Sequence, residues 1–315
     1  MRAVVTGDGG PAVEDRPDPV PGRGEVLVRV RAAGINNADL LQVRGGYPAP
    51  PGAPPDIPGL EFAGEVVDRG PDAERFSPGD RVMAVVGGGG QADLAVVHER
   101  AAMPVPEGLR WEEAGGFPEV FTTAHDALFT TAALEPGERV CVHGAAGGVG
   151  VAAVQLAAAA GARVVATVRR AELRPDVEAL GEGVDAVDPV GFGAHGPFAV
   201  ILELVGAPNL PDDLASLATG GRIVVIGIGA GTAAEVNLFA LMAARGQIHG
   251  TMLRTRPLEG KADAARRVER HVLPLVERGR VHVPVAATFP LEDAAAAYAR
   301  FEAGAKFGKI VLTMD

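Results

Sequence analysis

The sequence predicts an α/β chain of two domains, a doubly wound parallel sheet joined to a separate β-rich domain. Three observations carry the prediction. From Leu134 onward, short apolar runs alternate with helical stretches, which is the pattern of successive βα units. A glycine-rich run, His143-Gly144-Ala145-Ala146-Gly147-Gly148-Val149-Gly150, stands between a strand-like 138–142 and an Ala-rich helical segment. Residues 1 to about 118 read differently, as short β-rich runs separated by proline- and glycine-rich turns. A chain of 315 residues suits about two domains, and 47% hydrophobic residues supplies a core for each.

Taken in order, the first domain has strands predicted at 26–32, 62–68, 81–86 and 94–97. Between the first two lies a segment with proline at 48, 50, 51, 54, 55 and 58. It can be neither helix nor central strand and is expected to form a stiff exposed loop, either a connector or the wall of a binding site. The second domain reads as strand 140–142, helix 148–160, strand 163–168, a short helix at 172–180 and strand 185–187. It continues with strand 199–204, helix 210–218, strand 222–226, helix 238–245 and strand 247–252. Its strands are apolar on both faces, as in Val200-Ile201-Leu202 and Ile223-Val224-Val225-Ile226, because helices cover both sides of such a sheet. A long helix at 260–278, a strand at 285–289, a helix at 291–303 and a last strand at 308–313 are expected to return to the first domain. The predicted division is therefore 1–118 completed by 254–315, with 119–253 as the second domain.

Composition removes several functional classes. A formal charge of -11 argues against a nucleic-acid or anionic-membrane partner. The single cysteine, Cys141, excludes internal disulfides and a four-cysteine zinc site, and denies a catalytic zinc its usual thiolates. The seven histidines show neither HxxxH nor HExxH spacing, so no metal is expected. The apolar stretch 149–168 contains Gln155, Gly161 and Arg163 and parses as a helix followed by a buried strand rather than a membrane span. The opening Met-Arg-Ala-Val-Val-Thr-Gly-Asp has no secretory pattern, and the expectation is a cytoplasmic protein acting on a small molecule.

A glycine turn opening a helix after a strand is where a dinucleotide pyrophosphate sits, held by backbone N–H groups and the positive end of the helix dipole. Gly147 and Gly148 would supply the turn and close approach, with Val149 opening the helix. Gly150 would let helix pack on strand, and Ala145 stands where the first glycine of GxGxxG is usual. An ordinary glycine-rich turn is the plainer alternative. The next strand ends Thr167-Val168-Arg169-Arg170, with no carboxylate to bind ribose hydroxyls and two guanidinium groups suited to a 2′-phosphate. This points to NADPH, the alternative being a solvated loop. Gly206, Gly227 and Ile228 lie at strand carboxyl ends, where doubly wound sheets bind ligands; close packing would also explain the glycines.

Further runs carry a family resemblance: Gly34-Ile35-Asn36-Asn37-Ala38-Asp39-Leu40, Pro58-Gly59-Leu60-Glu61-Phe62-Ala63-Gly64-Glu65-Val66, Phe76-Ser77-Pro78-Gly79-Asp80-Arg81-Val82 and Gly308-Lys309-Ile310-Val311-Leu312. With the glycine run, and with 44–52 and 117–123, they make the chain similar to zinc-free quinone oxidoreductases. These are the zeta-crystallin-like branch of the medium-chain dehydrogenase/reductase superfamily. The resemblance implies a GroES-like catalytic domain, a Rossmann domain, an active cleft between them and a homodimer joined through the Rossmann sheets. In one departure, 180–198 is short and rich in Gly and Pro, so a helix usual in the family is expected to be missing.

By the same resemblance, Asn36 occupies the family's GxN position, where its amide would donate to charge developing on the acceptor and contact the nicotinamide. Thr123 would lie under the nicotinamide, or else satisfy a backbone group at a helix start. Tyr47 is the candidate proton donor or stacking wall, with simple loop packing as the alternative, whereas Tyr298 on an Ala-rich helix reads as core. Asp39 and Glu61 could orient neighbours, or be a helix-surface carboxylate and an internal ion pair. His143 reads as a structural hydrogen-bond former. The implied function is NADPH-dependent hydride transfer to quinones or related conjugated carbonyls. A 2-enoyl or enone reductase, and a non-catalytic NADPH-binding sensor or structural protein, remain open.

Overall fold

The computed structural model describes residues 1–7 and 10–315 and divides into two compact units. One comprises Met1–Thr122 with Leu253–Asp315, the other Thr123–Met252.

In the first unit, β1 (Arg2–Val5) and β2 (Ala12–Asp15) form a two-stranded antiparallel ribbon. A seven-stranded sheet follows, built from β3 (Glu25–Gly34), β4 (Glu61–Arg69), β5 (Arg81–Val85), β6 (Leu94–His98) and β7 (Ala102–Pro104). The chain's end completes it with β14 (Val285–Pro290) and β15 (Lys309–Thr313), whose register pairs Leu312 with Ala33. Alternation organises this sheet. In β3, Val26, Val28 and Val30 are buried and pack with Phe62, Val82, Ile310 and Leu312, while Arg29 between them is exposed. Helices α1 (Asn37–Val43), α2 (Trp111–Gly115) and α3 (Pro118–His125) belong to the chain's first 125 residues. The proline loop packs its Pro50 and Pro54 rings on the glycine run 87–90, where a Cβ at Gly87 would come within 2.9 Å of Pro50.

In the second unit, β8 (Arg139–Val142), β9 (Arg163–Thr167), β10 (Val184–Val187), β11 (Phe198–Glu203), β12 (Leu217–Val225) and β13 (Gln247–Gly250) form a wholly parallel sheet. The order is β10-β9-β8-β11-β12-β13. The reversal between β8 and β11 creates the switch point at which such sheets take ligands. The intervening helices are α4 (Gly148–Ala159), α5 (Arg174–Glu178), α6 (Leu210–Ala215) and α7 (Leu238–Ala244). Between β10 and β11 there is a single 3-10 turn, Phe192–His195, and no α-helix.

Several boundaries differ from the sequence reading for physical reasons. The helix expected at 260–278 is two helices, α8 (Leu258–His271) and α9 (Leu273–Glu277). Pro274 lacks the N–H that would bond to the carbonyl of Arg270, and its ring collides with it. The helix expected at 210–218 ends at Ala215, and β12 begins at Leu217 because the chain there pairs with Phe198. The strand expected at 247–252 ends at Gly250. The helix expected at 291–303 opens as a 3-10 turn, Leu291–Asp293, before α10 (Ala294–Glu302). The β1–β2 ribbon, α1, α2 and the π-helical turn Asp126–Thr131 had no place in the sequence reading.

Candidate active site

The second unit gathers the glycine run and three other turns at the carboxyl ends of its central strands. The N–H of Ala145 bonds to Thr167 O at the end of β9, and that of His143 to Leu202 O in β11. Gly147 caps α4, and the helix then closes tightly on the turn. A Cβ at Gly150 would lie 2.5 Å from Gly144 O and 2.6 Å from the Ala145 Cα. Glycine is therefore required at 150 for helix and turn to approach. Across the switch point, a Cβ at Gly227 would lie 2.2 Å from Leu204 O, so close packing of the two turns does operate there. α4 opens at Gly148 directly after this turn, and the N–H groups and positive dipole end at such a helix start favour an anion.

Arg169 and Arg170 follow β9 and are exposed; Arg170 pairs with Glu172 at 3.3 Å. Arg174, absent from the sequence reading, donates to Val168 O at 3.2 Å and pairs with Asp188 at 2.6 Å. The strand end is thus fringed by three guanidinium groups, one already committed to Asp188. Ile228 is exposed beside Gly227. Thr123 is buried inside α3, which removes the helix-start role considered for it.

The first unit holds a buried ionic network around Asn36. The Lys309 ammonium, 2% exposed, lies 2.6 Å from Glu61 and donates to Asn36 Oδ1 at 2.7 Å and Ile35 O at 3.0 Å. Asn36 Nδ2 donates to Glu61 Oε1 at 2.9 Å, and Glu61 Oε2 accepts the Glu119 N–H at 2.8 Å. Charged partners on both ends of the amide fix which end is nitrogen and leave one Nδ2 hydrogen uncommitted. Asp39 is fully buried rather than on a helix surface: it accepts the N–H groups of Asn36, Gly59 and Leu60 at 2.8, 3.0 and 3.1 Å. Burial pushes its carboxyl up to about 6, against the pull of those donors and of Lys309.

Tyr47 is half-buried, and burial raises its phenol while the neighbouring Arg254 pulls it down. Arg254 is a residue that sequence reasoning missed. Its guanidinium, 4% exposed, stacks on the Tyr47 ring at 4.6 Å and donates to Gly87 O at 2.8 Å, Tyr47 O at 3.2 Å and Gln42 Oε1. It thereby ties 42–47 to the glycines at 87–90. No signal short of the fold reveals this, since the partners lie more than 160 residues away in the chain. Tyr298 is core, as expected, with its hydroxyl on Gln91 at 2.8 Å.

One group lies beyond the reach of the histidine-spacing argument. His143, Glu203 and Asp213, all fully buried, bring potential metal-ligand atoms within 4.8 Å of one another. They come from the ends of β8 and β11 and from α6, so their sequence spacing carried no pattern. His143 Nε2 contacts Asp213 Oδ1 at 2.8 Å, a hydrogen-bond length. Cys141 lies nearby, and burial beside these acids raises its thiol.

Among known proteins, residues 184–312 match the family model "Zinc-binding dehydrogenase" and residues 22–107 match "Alcohol dehydrogenase GroES-like domain". The chain is 34% identical to a quinone oxidoreductase of Homo sapiens over 268 residues, covering 80% of each. It is 39% identical over 208 residues to the polyketide synthase GfsB of Streptomyces halstedii, covering 65% of this chain but 4% of that one. Against a solved NAD-dependent alcohol dehydrogenase the TM-score is 0.86, with 29% identity and full coverage of both chains.

Proposed function

The chain belongs to the medium-chain dehydrogenase/reductase superfamily, and from that premise we propose that it is an NADPH-dependent, zinc-independent reductase of quinones or related conjugated carbonyls. The observation that supports the acceptor class is the 34% identity to a quinone oxidoreductase across 80% of both chains. The observation that supports NADPH is the end of β9, where Arg169 and Arg170 stand in place of a ribose-binding carboxylate.

Resemblance and geometry together support the following roles. The backbone of Ala145, Gly147, Gly148, Val149 and Gly150 would take the pyrophosphate, with Gly206, Gly227 and Ile228 lining the switch point and Thr123 beside the nicotinamide. Bound nicotinamide supplies the hydride. Asn36, its amide pinned by Lys309 and Glu61, offers its remaining Nδ2 hydrogen to negative charge arriving on the acceptor. Tyr47, held protonated by its burial, donates a proton or stacks against the acceptor ring. A quinone makes a stabilised anion and can also take its proton from water, so no metal or histidine relay is required. The exposed apolar side chains of α7 and the edge strand β13 would join two copies into a homodimer.

A second reading has a specific observation behind it: the similarity to polyketide synthases at 39–40% identity supports reduction of an enoyl thioester at its β-carbon by the same hydride geometry. Steady-state NADPH oxidation against quinones, enones and enoyl thioesters separates the two. The proposal expects the highest kcat/KM with a quinone; turnover confined to enoyl thioesters would replace it with the second reading.

A further inference from the structure

The buried group formed by His143, Asp213 and Glu203 has no part in the chemistry above, yet it touches every turn assigned to the dinucleotide. Glu203 Oε1 accepts the N–H groups of Val205 and Gly206 at 2.5 and 2.7 Å, holding the turn after β11. The Glu203 carbonyl accepts those of Ile226 and Gly227, holding the turn after β12. His143, at the head of the glycine run, reaches Asp213 through Nε2 and Thr167 Oγ1 through Nδ1 at 3.1 Å. Thr167 in turn closes β9, and its carbonyl takes the Ala145 N–H. The Phe192 ring stands edge-on to the imidazole at 4.6 Å, so the group is bounded by apolar surface.

Two oxygens in this cluster, Glu203 Oε2 and Asp213 Oδ2, are buried without a hydrogen-bond partner. Each carboxylate therefore acts through the one oxygen that faces a turn or the imidazole.

We propose that His143, Asp213 and Glu203 are positioning residues for the dinucleotide: a buried link that sets the glycine turn against the turns at 203–206 and 226–228. Loss of the Glu203 carboxylate would free the turn at 203–206 and weaken binding. The inference rests on the dinucleotide reading of this unit, and the test separates the two.

The probe is NADH, whose dissociation constant is measured by fluorescence titration, with thermal melts to confirm folding. Glu203→Gln keeps the acceptor for Val205 and Gly206. It should bind about as well as the wild type. Glu203→Ala removes both backbone acceptor contacts and should weaken binding by about tenfold or more, a loss that Glu203→Gln does not show. A folded Glu203→Ala with wild-type affinity, or a folded Glu203→Gln as weakened as Glu203→Ala, would overturn the positioning role while leaving the dinucleotide site intact. A wild type that binds neither NADH nor NADPH would overturn the dinucleotide reading, and this inference with it.

Discussion

At the scale of single residues, the account turns on side chains whose environments are set far from them in sequence. Asn36→Ala should lower the rate by about tenfold to a thousandfold, its upper end being the loss on removing one donor to a developing oxyanion, while the Glu61–Lys309 pair at 2.6 Å keeps the unit folded. Tyr47→Phe should cost less, because water can protonate a reduced quinone. Wild-type kinetics in both would place the reacting carbon elsewhere. Asp39 gives a prediction about stability. Its carboxyl is raised from 3.8 to about 6 in the folded chain, so between these values the unfolded chain releases a proton that the folded chain keeps. The contribution is present below pH ~4 and lost as pH rises through ~6, amounting to about 3 kcal/mol. Urea midpoints measured from pH 4 to 7 should show this decline, and Asp39→Asn should remove it while lowering stability throughout, because an amide nitrogen cannot accept a backbone N–H. An unchanged slope in the variant would assign the titration to another group.

At the scale of elements, legibility followed range. The strands and the glycine turn were readable because their determinants are local: apolar β-branched runs such as Ile223-Val224-Val225, and glycines at a strand-to-helix junction. The break between α8 and α9 was missed although Pro274 stands in the sequence, because helical periodicity across 260–278 masked it. The β1–β2 ribbon was not readable: β2 is Ala-Val-Glu-Asp with exposed acids, and only pairing with β1 makes it a strand. The edge strand β13 and helix α7 carry an unusual surface for an acidic chain, with Phe239 79% and Met242 73% exposed beside Leu238, Ile248 and Met252. An apolar edge of this kind marks an association surface. Sedimentation equilibrium should therefore give a dimer for the wild type and a monomer for the double variant Phe239→Glu, Met242→Glu. A monomeric wild type, or a variant that stays dimeric, would remove the dimer from the account.

At the scale of the whole molecule, the sequence disclosed the division into a β-rich unit and a parallel-sheet unit, and it disclosed the glycine turn. It did not disclose the buried polar groups that hold those features in register. Lys309 meets Glu61, Arg254 meets Tyr47 and Gln42, and His143 meets Asp213 only after strands 60 or more residues apart are side by side; no periodicity records such meetings. The choice between dinucleotides would nonetheless be set locally, at the end of β9. NADPH alone carries the 2′-phosphate that Arg169 and Arg170 would meet, and charge-assisted hydrogen bonds contribute roughly 1.5 to 3 kcal/mol each. The decisive measurement is the dissociation constant of NADPH and of NADH, by fluorescence titration, for the wild type and for the Arg169→Ala, Arg170→Ala double variant. The account predicts that the wild type prefers NADPH, that the variant loses about a hundredfold or more toward NADPH, and that NADH binding is nearly unchanged. Equal losses for both dinucleotides, or a wild type that prefers NADH, would contradict it.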